Sequence, residues 1–185
     1  MERIALLLNP HIRLFGTVDE EMLGRFFDQL AKALERDGPI VLELTTQGGE
    51  ADIGRRMALQ IRLSREHLKR EMIFFGTTTV YSAGVVVMAA FPNTHRYLAH
   101  DTALLIHGRR IEKEESQGGP LTAVLQMTKA KIAELEKGIE LERAGFAELI
   151  AGSDVSEEEI RRCAETNWYL TAEEALRRKL VAGLV

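Results

Sequence analysis

Three short segments of the chain contain residue types that could carry out acyl transfer. Ser82 lies in FFGTTTVYSAG, where a predicted buried strand leads through a loop into a very apolar helix. A serine there can present its hydroxyl above a sheet, beside unbonded helix amides that could hold an oxyanion. The complete GxSxG elbow is absent, and taken alone the segment is more typical of a serine that caps a helix.

A candidate base and a candidate anion-binding turn lie on either side of this serine in the sequence. His107 ends a strongly apolar strand in TALLIHG, where an imidazole could act as a general base; the alternative is an ordinary histidine at a loop boundary. Gly48 and Gly49 join a predicted buried strand to a helix, and such a turn can direct amides at an anion. Alone, the glycine pair favours a plain tight turn.

The elements that must position these residues alternate between strands and helices. Hydrophobic patterning predicts strands at residues 11–16, 40–44, 72–75, 96–99, 103–106 and 180–185. Capping boxes, TVDE at 17–20 and TAEE at 171–174, predict two helix starts, and Gly38 is expected to end the first of these helices. Further helices are predicted at 50–67, 82–90 and 121–150. This alternation indicates βαβ units, an α/β fold and a largely parallel sheet.

Length, composition and charge limit the classes of protein to which this chain could belong. A chain of 185 residues, 45% hydrophobic and 28% charged, is predicted to form a single domain over residues 1–185. A net charge of −4 without a basic tract argues against a nucleic-acid partner. No apolar run is long enough to cross a membrane and the one cysteine, Cys163, fits a reducing compartment, so we expect a cytoplasmic protein. No cluster has metal-ligand spacing, and we predict no cofactor and no metal.

Taken together, in this order and spacing, the segments resemble the proteolytic subunits (ClpP) of the Clp protease family. TTQGG corresponds to the family's SPGG-like turn, GTTTVYSAG to its nucleophile loop and LLIHG to its MIHQ segment, while WYLTAEEA with Leu180 and Val181 is similar to its closing motif. The resemblance covers about residues 11–185. It implies a ClpP/crotonase-like fold of repeated ββα units, with a mostly parallel sheet and a protruding handle helix at about 121–150.

The resemblance also implies a function and a role for each site residue. The chain would be a serine endopeptidase that hydrolyses peptides or unfolded proteins inside an oligomeric chamber. Ser82 would attack the scissile carbonyl, His107 would move the proton, and the backbone amides of Gly49 and Ala83 would hold the oxyanion. A strand near residues 109–112, together with the Gly-Gly loop, would bind extended substrate by main-chain pairing.

Family members form two stacked heptameric rings, so the resemblance implies a homo-oligomer that is a tetradecamer. The apolar stripe of helix 121–150 continues past what one small domain should need to bury, which agrees with a ring interface; an ordinary core helix is the alternative. The family's partner is an AAA+ unfoldase that contacts axial loops formed by a longer N-terminal segment. Only about ten residues precede the first predicted strand here, which weakens that expectation.

Two departures from the family pattern bear on activity. The triad aspartate belongs to an IxRD-like segment that here reads IRRC, which places Cys163 at the expected position. A thiol is mostly neutral at pH 7 and cannot stabilise an imidazolium as a carboxylate does. The sequence therefore predicts a slow enzyme, a different orienting group (Glu165 and Asn167 are nearby candidates) or an inactive ring subunit. The polar insertion at 109–120 is longer than expected and could gate the substrate groove.

A further alternative is a crotonase-like acyl-CoA enzyme, which shares the paired-amide oxyanion site. Such enzymes usually act through carboxylates, and the key loops here contain only Glu50. A binding shift with acyl-CoA compounds would distinguish this class from a peptidase.

Overall fold

A mostly parallel sheet organises the molecule. In the computed structural model, which describes residues 2–110 and 118–185, this sheet has seven strands. They are β1 (Ile12–Phe15), β2 (Ile40–Thr46), β3 (Met72–Tyr81), β4 (Arg96–Leu98), β5 (Ala103–Ile106), β6 (Trp168–Thr171) and β7 (Gly183–Leu184). The order is β1-β2-β3-β4-β7, with β5 paired in parallel to β3 and β6 paired antiparallel to β5. The predicted α/β class with a largely parallel sheet is confirmed.

Helices cover the sheet. They are α1 (Glu2–Leu7), α2 (Glu20–Leu34), α3 (Ala51–Glu66), α4 (Ala83–Ala89), α5 (Leu121–Ile150), α6 (Glu157–Ala164) and α7 (Ala172–Arg177), with a short 3₁₀ turn at Asn93–His95. The main core lies between the sheet and α2, α3, α4 and the end of α5. A second, smaller core packs α1 onto the opposite face through Leu7, Val41, Ile73 and Phe75.

The largest correction to the predicted elements concerns β3. We expected a strand at 72–75 followed by a loop, because the run GTTTVY is mostly polar. The strand instead continues to Tyr81. Its first half pairs with β4 and its second half with β5, so a single strand forks between two neighbours. Thr78, with φ of 57°, marks the change of direction between the two halves.

Several element ends also differ from the predictions. The TVDE box does not start α2, because Asp19 is the cap and its carboxylate accepts from the Met22 amide at 2.8 Å. The TAEE box is confirmed, since the Thr171 hydroxyl accepts from the Glu174 amide at 3.2 Å. The last strand covers only Gly183–Leu184. Helices α1 and α6 and strand β6 were not predicted, and α2 ends before Gly38, which lies in the following turn with φ of +85°.

Arg96, the buried first residue of β4, joins three segments of the chain through its side chain. Arg96, 1% exposed, donates hydrogen bonds to the carbonyls of Phe91 (2.8 Å), Leu149 (2.6 Å) and Leu180 (3.3 Å), and also to those of Ala89 and Glu148. Burial lowers the pKa of Arg96 to about 10, while the nearby Glu148 opposes that change. The side chain is therefore still charged at pH 7. It ties the ends of α4 and α5 to the segment that precedes β7.

Helix α5 is confirmed at the predicted bounds of Leu121–Ile150. At about 1.5 Å per residue it is about 45 Å long. Only its last turn is buried, at Leu149 and Ile150. Six large apolar side chains before that point are 42–88% exposed, namely Leu121, Leu125, Met127, Ile132, Leu135 and Ile139. One subunit therefore leaves an apolar stripe of this helix uncovered.

Candidate active site

The candidate nucleophile lies at the junction of β3 and α4. Ser82 has φ of 54° and ψ of −115°, a backbone conformation that residues other than glycine rarely adopt. It occupies the N-cap position of α4, but its side chain makes no capping hydrogen bond. The helix-cap interpretation of this serine is therefore wrong for its hydroxyl. A strained turn that presents a serine hydroxyl between a strand and a helix is the geometry of a nucleophile elbow.

Close backbone packing holds this turn in place. The Ser82 amide donates to the Leu105 carbonyl at 2.9 Å. A Cβ on Gly48 would lie 2.7 Å from the Ser82 Cβ, so the glycine lets the Gly-Gly turn reach the serine. The Thr46 hydroxyl accepts from the Gly48 amide at 3.0 Å and anchors that turn to the end of β2. The glycine pair is thus more than a plain tight turn, because it packs directly against the candidate nucleophile.

The candidate base follows the neighbouring strand. Tyr81 and Leu105 are register partners in the parallel β3–β5 pair, so Ser82 and His107 leave the sheet at the same edge. The carboxyl ends of parallel strands are where open α/β sheets place ligands. Both residues line one cavity of about 420 Å³, together with Val85, Phe146 and other residues of α3, α4 and α5. No direct hydrogen bond joins Ser82 to His107 among the described residues.

The histidine is oriented by its own loop. The His107 Nδ1 and the Gly108 carbonyl oxygen are 2.6 Å apart. A carbonyl can only accept, so Nδ1 carries the proton and donates it. The neutral ring then has its lone pair at Nε2, which is the nitrogen that a general base needs.

Of the two amides predicted to form the oxyanion hole, Ala83 directly follows Ser82, and Gly49 directly follows Gly48, which packs against Ser82. Ala83 N–H belongs to the first turn of α4, where helix amides lack an intrahelical acceptor. Gly49, with φ of +147°, is held by Val18, whose amide donates to the Gly48 carbonyl at 2.9 Å and whose carbonyl accepts from Glu50 at 2.8 Å. Within residues 2–110 and 118–185, neither amide has an acceptor, so both can donate to a ligand.

Among the described residues, no hydrogen bond joins the expected aspartate position to the imidazole. Cys163 lies in α6, half-buried, and His107 Nδ1 bonds to Gly108 rather than to its sulfur. The same loop is joined to α6 through the Gly108 amide, which donates to the Ala164 carbonyl at 3.3 Å. Of the two stand-ins, Glu165 is exposed and Asn167 accepts from Arg110 at 2.7 Å. The predicted substrate strand at 109–112 is not seen at 109 and 110, and residues 111–117 lie outside the described range.

Charged residues that sequence analysis missed surround the cavity. One guanidinium nitrogen of Arg62, Nη1, donates to both carboxylate oxygens of Glu148 at 2.9 Å and so joins α3 to α5. The Arg109 guanidinium donates to Asp52 at 2.8 Å, and the Arg109 amide donates to Glu142 at 2.5 Å. These contacts join residues that are 33 to 86 positions apart, so no local pattern could have predicted them.

No helix within the described residues is long and apolar enough to span a membrane. Among the same residues, no group of three His, Cys, Asp or Glu side chains is arranged to hold a metal ion.

Comparison with known proteins agrees with this geometry. The model of the Clp protease family matches residues 3–185. The chain belongs to the Clp protease family. It is 28% identical over 173 residues, 92% of this chain and 78% of the relative, to the ATP-dependent Clp protease proteolytic subunit 2 of Pseudomonas aeruginosa. Its fold matches that of a mutant ClpP1 from Listeria monocytogenes with a TM-score of 0.75, covering 100% of this chain and 96% of the other at 19% identity.

Membership of the Clp protease family makes this chain a serine endopeptidase of the ClpP type. The family works as an oligomeric protease chamber, so the exposed apolar stripe of α5 belongs to a protein that assembles. The predicted family, fold and peptidase class are confirmed. The oxyanion and triad roles of individual residues stay predictions.

Proposed function

We propose that Ser82 and His107 are the catalytic pair of a single ClpP-like domain that hydrolyses peptides or unfolded proteins. One observation carries the proposal: the two residues leave adjacent parallel strands at the same sheet edge and line one cavity. Ser82 Oγ attacks the scissile carbonyl carbon while His107 Nε2 takes its proton. The proton then goes to the leaving amine, and water hydrolyses the acyl-enzyme by the same steps in reverse.

The oxyanion of the tetrahedral intermediate would be held by the amides of Gly49 and Ala83. Support comes from the packing of Gly48, the neighbour of Gly49, against Ser82, and from the absence of an acceptor for either amide among the described residues. Removing one oxyanion donor typically costs roughly 10²–10³ in rate. The cavity is lined mainly by apolar side chains such as Val85, Val86 and Phe146, so an apolar substrate side chain would fit beside the serine.

Covalent labelling tests the catalytic pair. A fluorophosphonate probe should modify Ser82, and mass spectrometry should locate the adduct. The Ser82→Ala variant should not be labelled. Ser156→Ala is the matched control, because Ser156 caps α6 with its hydroxyl 3.1 Å from the Glu159 amide and lies outside the cavity. Labelling that survives Ser82→Ala, or that falls equally in both variants, would remove the proposal.

We propose that the assembly is a tetradecamer of two stacked heptameric rings joined through α5. The exposed stripe that includes Leu125, Ile132 and Ile139 supports this interface. Native mass spectrometry of the wild type should give fourteen-subunit particles. Ile132→Glu should reduce them to smaller species, whereas Ala130→Glu, about 200° around the helix, should not. Equal dissociation by both changes would argue against an interface through this stripe.

A second candidate, an inactive ring subunit, is favoured by one observation: Cys163 replaces the expected acid and does not hydrogen-bond to His107. Assembled rings without a label at Ser82 would support it.

We further propose a cytoplasmic chamber without nucleic-acid or membrane partners. An AAA+ unfoldase is the partner to test, because the Pseudomonas relative is named as ATP-dependent. Addition of an unfoldase and ATP would then be needed for degradation of a folded protein but not of a short peptide.

A further inference from the structure

The missing triad aspartate leaves open what holds the candidate base. The His107 ring does not bond to a carboxylate directly, and its Nδ1 proton goes to the Gly108 carbonyl at 2.6 Å. The nitrogen of that same peptide group is the amide of Arg109. This amide donates to a carboxylate oxygen of Glu142 at 2.5 Å. Imidazole, peptide group and carboxylate therefore form one chain of two hydrogen bonds.

From this arrangement we propose that Glu142 of α5 is the positioning residue for His107 and acts through the Gly108–Arg109 peptide. The inference rests on the proposed roles of Ser82 and His107. It goes beyond them by assigning the work of the absent aspartate to a carboxylate on a different element of the fold.

The physical basis is the polarisation of a peptide group that is hydrogen-bonded at both ends. A carboxylate that accepts from the N–H draws the amide dipole into line and makes the carbonyl oxygen a stronger acceptor. A hydrogen bond to an ionised acceptor is also shorter and stronger than a neutral one. The Gly108 carbonyl therefore fixes the Nδ1-protonated form of His107. It also stabilises the imidazolium that forms when His107 takes the Ser82 proton.

The packing of Gly108 is consistent with this role. A Cβ at this position would lie 3.1 Å from Oε2 of Glu142, so the glycine allows the carboxylate to approach the peptide. Within residues 2–110 and 118–185, Glu142 forms no ion pair, and the Arg109 amide is its hydrogen-bond donor. The carboxylate is thus directed at the backbone and is not neutralised by a described lysine or arginine.

The location of Glu142 has a functional consequence. It lies in the same helix whose exposed apolar stripe is proposed to join the rings, three residues after Ile139. A shift of α5 would move the carboxylate away from the Gly108–Arg109 peptide. The base would then be correctly oriented only when α5 is in place.

The test compares Glu142→Gln with Glu136→Gln in the full-length assembled protein. Glutamine keeps the size of the side chain and an acceptor oxygen but removes the charge. Glu136 is exposed on the same helix, and Glu136→Gln removes the same charge at a position away from the loop. We expect Glu142→Gln to lower kcat for peptide hydrolysis, and the rate of fluorophosphonate labelling, about 10- to 100-fold with KM unchanged. Glu136→Gln should leave both near wild type.

A second readout does not depend on turnover. ¹⁵N NMR of labelled histidine should show His107 as the Nδ1-protonated tautomer in the wild type and as a mixture of tautomers in Glu142→Gln. This measurement separates loss of orientation from a general loss of folded protein, because unfolding or misassembly would change the signals of all five histidines of the chain.

Each outcome decides the question. If the wild type is labelled at Ser82 while Glu142→Gln matches Glu136→Gln in rate and tautomer, the inference is wrong and the proposed function stands. If both variants lose activity equally, the effect belongs to helix charge and the inference is also wrong. If wild-type Ser82 is not labelled, the proposed function fails and takes the inference with it.

Discussion

Ser82 and His107 line one cavity, but different interactions hold the backbone around each of them. The serine turn is set by core packing: Gly48 lies against Ser82, and the Ser82 amide bonds to the main chain of β5. The histidine lies in a loop that is held by hydrogen bonds. His107 bonds to the Gly108 carbonyl, and Arg109 donates to charged side chains of neighbouring helices. The nucleophile therefore depends on shape, whereas the base depends on polar contacts with α3 and α5.

This difference implies that the two halves respond differently to change. Packing without space for a methyl group tolerates almost no substitution, since native cores lack voids and a new Cβ must displace its neighbours. Each half-exposed hydrogen bond contributes less to stability than such close packing does, and these bonds can be lost one at a time. Substitutions beside Ser82 should therefore lower activity more than substitutions around His107.

The largest effect is expected from Gly48→Ala. Its new Cβ would be 2.7 Å from the Ser82 Cβ at a residue whose φ is +108°, so the oxyanion turn must move. We expect kcat/KM for a fluorogenic peptide to fall roughly 10²–10³-fold.

Gly38→Ala is the control for Gly48→Ala. Gly38 also has positive φ, +85°, but no atom lies within 4 Å of the new Cβ. It should lower the free energy of unfolding by about 1–2 kcal/mol without changing activity per folded molecule. If the two variants lose the same activity, close packing does not set the serine turn.

A smaller change, in the opposite direction, is expected from Cys163→Asp. Cys163 precedes Ala164, whose carbonyl accepts from the Gly108 amide, so a carboxylate there would lie close to the loop of the base. We expect kcat to rise about 10-fold, well below the roughly 10⁴-fold that a triad aspartate contributes over its amide in trypsin. Cys163→Ser should cause no rise. An unchanged or lower kcat in Cys163→Asp would mean that residue 163 is not a triad position.

The smallest effect is expected from Arg109→Ala. This change removes the guanidinium contact with Asp52 but keeps the Arg109 amide that donates to Glu142. Asp52 is 75% exposed, and exposed ion pairs contribute only about 0–1 kcal/mol, so we expect kcat to fall no more than about 5-fold. Steady-state peptide hydrolysis measures this. A loss as large as that of Gly48→Ala would show that the side chain, and not the peptide group, organises the base.

The same contrast explains what the sequence could predict. Ser82 and the glycine pair belong to local strand–turn–helix patterns, so their positions followed from short segments. His107 was predicted because it ends a short apolar strand. The orientation of its ring was not predicted, because the ring bonds to a backbone carbonyl in a loop, and that loop is tied to α5 by the contact between Arg109 and Glu142, 33 residues apart.

The fold shows the same limit in its elements. Long amphipathic segments such as α3 and α5 were predicted nearly to the residue, since their periodicity is local. The second half of β3 was predicted as loop because TTTVY lacks a strongly apolar pattern. It becomes a strand through pairing with β5, which lies more than twenty residues later in the chain. Asp19 rather than Thr17 caps α2. The two possible caps are only two residues apart, and both are residue types that cap helices, so the local pattern does not distinguish them.

The most direct test of the account is the site of covalent modification by a fluorophosphonate probe in the assembled wild-type protein. The account predicts one adduct, at Ser82, absent in Ser82→Ala and formed much more slowly in His107→Gln. Mass spectrometry that finds Ser82 unmodified, or finds that its labelling is as fast in His107→Gln as in the wild type, would contradict it.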